Sequence, residues 1–260
     1  VKRKKCDCKA CKEACAVPSI YLSPSTQESN IYITGGSEEH WMNLLADELE
    51  PYLRANHINF ERNTPQMTAA SSIRASNAGN FQLHLGLHSN AAPPNRSGQV
   101  RGSDIYYYPS SVKGQRAANF VADRIREIYP IPDLVRTIPT TSIGEVRQPK
   151  APSVFVEIAY HDNLEDATWI TENLNAIAAA IAQGLVDYFG TTFAWPVTPR
   201  IGTVVLTNGS MNIRSEPNTS STIVATAADG DQILIVGEIG DWYSVEFGNI
   251  PGFASKAFIR

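Results

Sequence analysis

The sequence lacks cysteine after position 15, so most of the chain folds without disulfide bonds and is compatible with either redox compartment. All of its cysteines lie in the basic segment VKRKKCDCKACKEAC, at Cys6, Cys8, Cys11 and Cys15. Their spacing could gather thiolates around a metal. An unstructured tail with incidental cysteines is the alternative, because no partner ligands follow at the spacing of a zinc finger.

Long apolar runs and an excess of positive charge are also missing. No run approaches the ~18 apolar residues of a membrane span, and the basic start is not followed by the apolar stretch of a signal peptide. The net charge of −4 gives no basic footprint for nucleic acid. A chain of 260 residues that is 43% apolar is long enough for two globular domains.

Residues 18–190 alternate between segments of strand-like and helix-like periodicity. Predicted strands cover 19–23, 58–62, 81–88, 103–108 and 153–160. Predicted helices cover about 38–55, 67–78, 113–129, 164–172 and 173–188. Strands separated by helices predict an α/β domain with a mostly parallel, twisted sheet flanked by helices. In such sheets ligands bind at the carboxyl ends of the strands.

The remaining segments differ in character. Residues 1–17 are the basic tail, and residues 191–200 (TTFAWPVTPR) have two prolines and no periodicity, which predicts a linker. Residues 201–260 hold short strand-like runs, the first of them TVVLT, separated by Gly, Asn and Pro. This pattern predicts a small all-β barrel.

Three polar residues stand where the predicted α/β domain would expose a site. The strand in FQLHLGLHSNAAP (81–93) alternates leucines with other residues and ends at His88. Glu38 opens the first helix, and Glu157 lies in the apolar strand SVFVEIAY. A carboxylate in such a strand is costly without a partner. These residue types are the ones that hydrolytic metal sites use.

The stretches SEEHWMNLLADEL, LHLGLHSNAAP and APSVFVEIAYHDNLEDA together resemble the zinc-dependent N-acetylmuramoyl-L-alanine amidases of the Amidase_3 type. The resemblance covers most of residues 18–190 and implies their phosphorylase/hydrolase-like fold. It implies that His88, in a His-x-Asn-Ala motif, and Glu38 are zinc ligands. It also implies that Glu157 is the catalytic glutamate.

The chain departs from the family pattern at the expected third ligand. The family's first strand ends in a D-P-G-H-G turn, whereas this chain has Thr26 at the histidine position. Gln27, Glu28 or His161 could replace that histidine. Glu28 is the predicted ligand, since a carboxylate oxygen is a better zinc donor than an amide.

The resemblance implies cleavage of the amide between the lactyl group of muramic acid and L-alanine, with a Zn²⁺ cofactor. Glu157 would act as base and then as acid, and Asn90, Arg74 and Arg147 would contact the substrate. Two alternatives remain. One is an inactive amidase-fold protein that serves as a wall-binding or regulatory module, which Thr26 favours and Glu157 disfavours. The other is a hydrolase of a related amide with a different metal.

Residues 201–260 resemble the bacterial SH3-like domains, on the course MNIRSEP…GDWYSVEF…GFASKAFI. This resemblance implies binding to cell-wall peptide or glycan, with Trp242 and Tyr243 as contact residues or, equally, as core aromatics. The expected partner is therefore peptidoglycan, through its glycan strands and stem peptides. The expected location is the cell wall or extracellular space, and the expected state is a monomer.

Overall fold

A computed structural model describes residues 17–260. The predicted cysteine-rich tail, apart from Val17, lies outside the described residues, as do both interpretations of its cysteines. The described chain forms two compact units, one of residues 19–50 with 60–190 and one of residues 51–59 with 191–260. Within residues 17–260, no helix combines the length and apolar character needed to cross a membrane.

The segment 19–190 holds a six-stranded sheet and six α-helices, and residues 51–59 within it group with the second unit. Its strands are β1 (Ser19–Pro24), β2 (Asn59–Arg62), β3 (Leu83–Asn90), β4 (Ser103–Tyr107), β5 (Val135–Pro139) and β6 (Ser153–Tyr160). Its helices are α1 (Glu38–Ala55), α2 (Ala69–Ala78), α3 (Val112–Ile128), the single turn α4 (Gly144–Arg147), α5 (Leu164–Glu172) and α6 (Leu174–Phe189).

The sheet has the order β2-β1-β3-β6-β4-β5. The β1–β3, β3–β6 and β4–β5 pairs are parallel, and only the β4–β6 pair among those with a known register is antiparallel. The predicted mostly parallel α/β sheet is confirmed. The carboxyl ends of β1, β3 and β6 therefore meet at one edge.

The apolar pattern of the sequence accounts for the burial of these elements. In α1, Leu45, Leu49 and Leu53 recur at helical spacing and are fully buried. In β3, the alternating Leu83, Leu85 and Leu87 are likewise fully buried. Burial of these leucines fixes the register of β3 and leaves the residues between them on the opposite face.

The second unit contains an antiparallel sheet of six strands in the order β7-β10-β11-β12-β8-β9. The strands are β7 (Trp195–Thr203), β8 (Met211–Arg214), β9 (Ile223–Ala227), β10 (Gln232–Ile239), β11 (Trp242–Phe247) and β12 (Ile250–Ser255). Its core includes Ile213, Ile235 and Val245, all fully buried. The predicted all-β region is confirmed.

Several short elements differ from the sequence prediction. Residues 195–200, predicted as part of a linker, belong to β7, which pairs with β10. Strand β7 is an edge strand, where prolines such as Pro196 and Pro199 are tolerated because one side needs no ladder hydrogen bonds. The TVVLT segment (203–207) begins at the last residue of β7, and beyond it forms an isolated bridge between Val204 and Ile259. Strands β5 and β9 and helix α4 were not predicted.

Candidate active site and metal centre

Four charged or titratable side chains lie in a row across the sheet. His88 on β3 is in register with Glu157 on β6, Glu157 with Asp104 on β4, and Asp104 with Arg136 on β5. Residues in register on neighbouring strands project from the same face. Asp104 is buried and accepts a hydrogen bond from Arg136 Nε at 2.9 Å. The row gathers a histidine and two carboxylates in a small volume.

Glu38 reaches this row from the first turn of α1. Its Oε1 lies 2.8 Å from His88 Nδ1, and its Oε2 accepts a hydrogen bond from Asn30 Nδ2 at 2.6 Å. Burial acts to raise the pKa of Glu38, but the hydrogen bonds and charge of its partners, His88 first, hold that pKa below its usual value. The structure thus places Glu38 against His88, as the predicted ligand pair requires.

His88 is held between two carboxylates. Its second ring nitrogen, Nε2, lies 3.1 Å from Oε2 of Glu145. Its ring stacks on Phe155 with the centroids 4.2 Å apart, and only 5% of the residue is exposed. Burial opposes a charged imidazole, yet the hydrogen bonds and negative charges of Glu145 and Glu38 raise the pKa of His88 to about 10.

Glu145, in α4, is the site residue that sequence reasoning missed. Its Oε1 accepts a hydrogen bond from Ser23 Oγ at 2.5 Å and lies 3.3 Å from His84 Nε2. Although burial favours its neutral form, the contacts with His84 and His88 lower its pKa well below the usual range. The available sequence signal was the polar pair Ser23 and His84 at inward positions of β1 and β3, which need a buried partner.

Glu157 has a different environment from the other two glutamates. Its Oε2 is buried and has no hydrogen-bond partner among the described residues. Burial is the main cause that raises its pKa to about 8, and the negative charges of Glu38 and Asp104 act in the same direction against the opposing effect of His88. A carboxyl group with this pKa can both take up and release a proton near neutral pH.

The candidates for the third ligand differ in their distance from His88 and in their exposure. The Gln27 side chain lies beside the site, with Nε2 3.4 Å from His88 Nδ1 and Oε1 accepting a hydrogen bond from Asn30. Glu28 is exposed, and its predicted role as a ligand gains no support from the geometry. Thr26 is half-buried.

His161 contacts Ser89 and Tyr32. Its Nδ1 lies 3.0 Å from Ser89 Oγ and 3.1 Å from the Ser89 carbonyl oxygen. Its ring stacks on Tyr32 with the centroids 5.2 Å apart. These contacts engage Nδ1 at the backbone of β3, and the role of His161 as a ligand stays a prediction.

The predicted substrate-binding residues have different surroundings. Asn90 is half-buried at the end of β3, and its Nδ2 lies 3.5 Å from Asp104 Oδ2, next to the charged row. Arg74 is exposed on α2. Arg147 is exposed and donates to the Thr141 carbonyl oxygen at 3.2 Å. Of the three, Asn90 is the one that the structure brings to the row.

The second unit has a surface groove of about 380 Å³ that includes Trp242. The groove is lined by Leu206, Asn208, Ser210, Met211, Asn212, Arg214, Thr219, Trp242, Ser255 and Phe258. Tyr243, the next residue on β11, packs against the core and lies under the side chains of Arg200 and Lys256. Consecutive strand residues face opposite sides, so the two predicted contact residues have separate environments.

A buried histidine between two carboxylates, beside a third carboxyl group of raised pKa, is the arrangement of an enzyme that performs proton transfer. The family comparison agrees. Residues 25–187 match the profile of the N-acetylmuramoyl-L-alanine amidases (Amidase_3), and the chain belongs to this family. Residues 209–260 match the bacterial SH3 domain profile. No curated protein matches the chain.

Solved structures show the same fold at low sequence identity. The amidase AmiC2 of Nostoc punctiforme is 19% identical with a TM-score of 0.59, covering 67% of this chain and 98% of that chain. The catalytic domain of CwlV, an amidase from Bacillus (Paenibacillus) polymyxa, is 17% identical with a TM-score of 0.57, covering 66% and 98%. Ami1 from Mycobacterium smegmatis is 16% identical with a TM-score of 0.57, covering 67% and 98%.

These findings confirm the predicted family, fold class and enzyme class. The chain is a peptidoglycan amidase, a hydrolase of the amide that joins muramic acid to the stem peptide. Nothing in the comparisons favours the inactive alternative. Zinc is implied by the family and stays a prediction for this chain.

Proposed function

We propose that residues 18–190 cleave the bond between the muramic acid lactyl group and L-alanine in the cell wall, and that residues 201–260 hold the enzyme on its substrate. The observation that carries this proposal is the buried, unpartnered Oε2 of Glu157 beside the Glu38–His88 pair. A tethered binding domain raises the local concentration of the catalytic domain on the wall. The two units together suit an enzyme that acts on an insoluble polymer.

The residues present fit a zinc ion beside His88. Without a metal, the raised pKa of His88 lets an imidazolium donate to the carboxylates at both ring nitrogens. His88 and Glu38 would hold a zinc ion in place of the Nδ1 proton, and the Gln27 amide lies 3.4 Å from that nitrogen. No three His, Cys, Asp or Glu side chains converge as metal ligands within residues 17–260. Gln27, whose amide lies beside His88, would supply the third donor.

In this mechanism the protein supplies proton transfer and orientation. Zinc, when bound, supplies a Lewis acid that polarises the scissile carbonyl and acidifies water. Glu157 takes a proton from the attacking water and returns it to the amine of the departing L-alanine. Asn90, next to the charged row, would donate to the substrate. A Glu157 pKa of about 8 lets the same carboxyl group act in both directions near neutral pH.

Digestion of purified peptidoglycan tests the proposed reaction. We expect mass spectrometry to detect free stem peptides that begin with L-alanine. A chelator is expected to lower their release on the order of 100-fold, and added zinc to restore it. Magnesium is the matched metal control and is expected not to restore release. Sacculi that bind the protein but stay intact under all these conditions would contradict the proposal.

Truncation of Trp242 tests the role of the groove. Trp242→Ala in the full chain is expected to weaken sedimentation with sacculi about tenfold, because aromatic side chains dominate the energy of such contacts. Release of peptides from soluble muropeptides should be unchanged. Ile201→Ala is a matched control, since Ile201 is 58% exposed and does not line the groove. Equal binding by both variants would remove the groove from the proposal.

A further inference from the structure

We infer that Glu145 is a positioning residue, whose carboxylate holds the His88 ring so that Nε2–H points to Glu145 and Nδ1 faces Glu38 and Gln27. This inference rests on the proposed function only in taking Nδ1 as the metal donor. Glu145 lies outside the three residues that the family resemblance marks as ligands or catalytic group. Its role follows from contacts that four elements of the fold build around it.

The carboxylate of Glu145 is itself held in place. Oε1 accepts a hydrogen bond from Ser23 Oγ at 2.5 Å and lies 3.3 Å from His84 Nε2. The backbone carbonyl oxygen of Glu145 accepts a hydrogen bond from Ser153 Oγ at 2.5 Å. The residue is 4% exposed. With Oε1 engaged by two partners, Oε2 is left for His88 Nε2 at 3.1 Å.

His84 extends this network away from the metal position. Its Nδ1 lies 3.0 Å from Ser76 Oγ on α2, and its ring stacks on Tyr21 with the centroids 5.5 Å apart. His84 and His88 lie four strand residues apart, about 13 Å, which is too far to share an ion. Instead, His84 contacts Oε1 of Glu145 and His88 contacts Oε2. The network therefore links α2, α4, β1 and β3 to the orientation of one ring.

The ring of His88 has little freedom to turn. Phe155 stacks on one face, and Gly86, one inward position earlier on β3, leaves space for Phe155, since a Cβ there would lie 2.8 Å from Phe155 Cδ2. With Glu145 accepting the Nε2 proton, the lone pair of a neutral imidazole lies on Nδ1. A carboxylate behind a metal-binding histidine fixes the tautomer and increases the basicity of the ligand.

The experiment compares the full-length protein with Glu145→Gln, which keeps the size of the side chain but can present an amide N–H to His88. Zinc affinity is measured by competition with a fluorescent chelator. We expect the variant to bind zinc 10–100-fold more weakly. Glu127→Gln is the matched control, because it makes the same chemical change at an exposed helix residue outside the network; its zinc affinity is expected to change less than threefold.

A second readout does not depend on zinc. In the metal-free protein, NMR of the ¹⁵N-labelled imidazoles is expected to show a His88 Nε2–H proton that is shielded from exchange. Glu145→Gln should lose that protection while the thermal unfolding transition stays cooperative. If Glu145→Gln does not fold, Glu145→Asp withdraws the carboxylate from Nε2 and is expected to show the same two changes.

The outcomes separate this inference from the proposed function. If the wild-type protein fails to bind zinc, the proposed cofactor is wrong, and the Nε2–H signal still decides the role of Glu145. A folded variant with unchanged zinc affinity and an unchanged Nε2–H signal would overturn the inference. Zinc coordinated through Nε2 of His88 would overturn it as well.

Discussion

Glu157→Gln is expected to lower the release of stem peptides about 1,000-fold, within the range of general acid–base catalysis. Glutamine has the size of glutamate but can neither accept the proton of the attacking water nor return one to the departing amine. Because Oε2 has no hydrogen-bond partner among the described residues, the substitution breaks no contact seen in the structure. The measurement is initial-rate release of peptides beginning with L-alanine, with sedimentation on sacculi to show that wall binding is retained.

Glu39→Gln is the matched control for this substitution. Glu39 neighbours Glu38 at the start of α1 and is half-buried, so the control makes the same chemical change close to the site. We expect its rate to stay within twofold of the wild type. A Glu157→Gln variant that keeps a tenth or more of the wild-type rate would show that the proton passes through another group.

The same substitution is expected to change how the stability of the metal-free protein depends on pH. The pKa of Glu157 is raised from 4.5 to about 8 in the folded protein. Between these values the folded state holds a proton that the unfolded state has released, so stability is lost as the pH rises through this window. The loss corresponds to about 5 kcal/mol of unfolding free energy. Glu157→Gln does not titrate and should gain that amount relative to the wild type.

Urea unfolding at several pH values, with a chelator present, measures this difference. The raised pKa of His88 also makes stability fall as the pH rises, from 6.5 to about 10. His88 is present in both proteins, so subtracting the two curves gives the contribution of Glu157 together with its coupling to His88. Parallel curves from pH 5 to pH 8 would show that Glu157 ionises with an ordinary pKa.

The periodicity of apolar residues was sufficient to predict most of the fold. The alternation of leucines in β3 and the apolar stripe of α1 depend on burial, which leaves a strong pattern in sequence. Helix α4 has a single turn, which is too short to show a period, and β5 (VRTIP) has no alternation of buried and exposed residues. Strand β7 was hidden by its prolines, which an edge strand accepts and an inner strand does not.

The residues of the candidate site likewise differ in how far local sequence patterns predict them. His88, Glu38 and Glu157 could be predicted as site residues because they stand in motifs next to apolar patterns. Glu145 could not be found in this way, since its partners are far away in sequence: Ser23 is 122 positions distant and His88 is 57. The prediction of Glu28 rather than Gln27 rests on ligand chemistry alone, and the structure brings Gln27 Nε2 to 3.4 Å from His88 Nδ1.

Gly86 links the packing of the core to the geometry of the candidate site, and this link constrains which substitutions the chain can accept. Any side chain at this position would displace the Phe155 ring, and that ring forms one wall of the slot that holds His88. Positions 86, 155 and 88 therefore cannot drift independently. A lineage that enlarges residue 86 must shrink residue 155 in compensation or lose the alignment of its histidine, so substitutions at these three places should arise together.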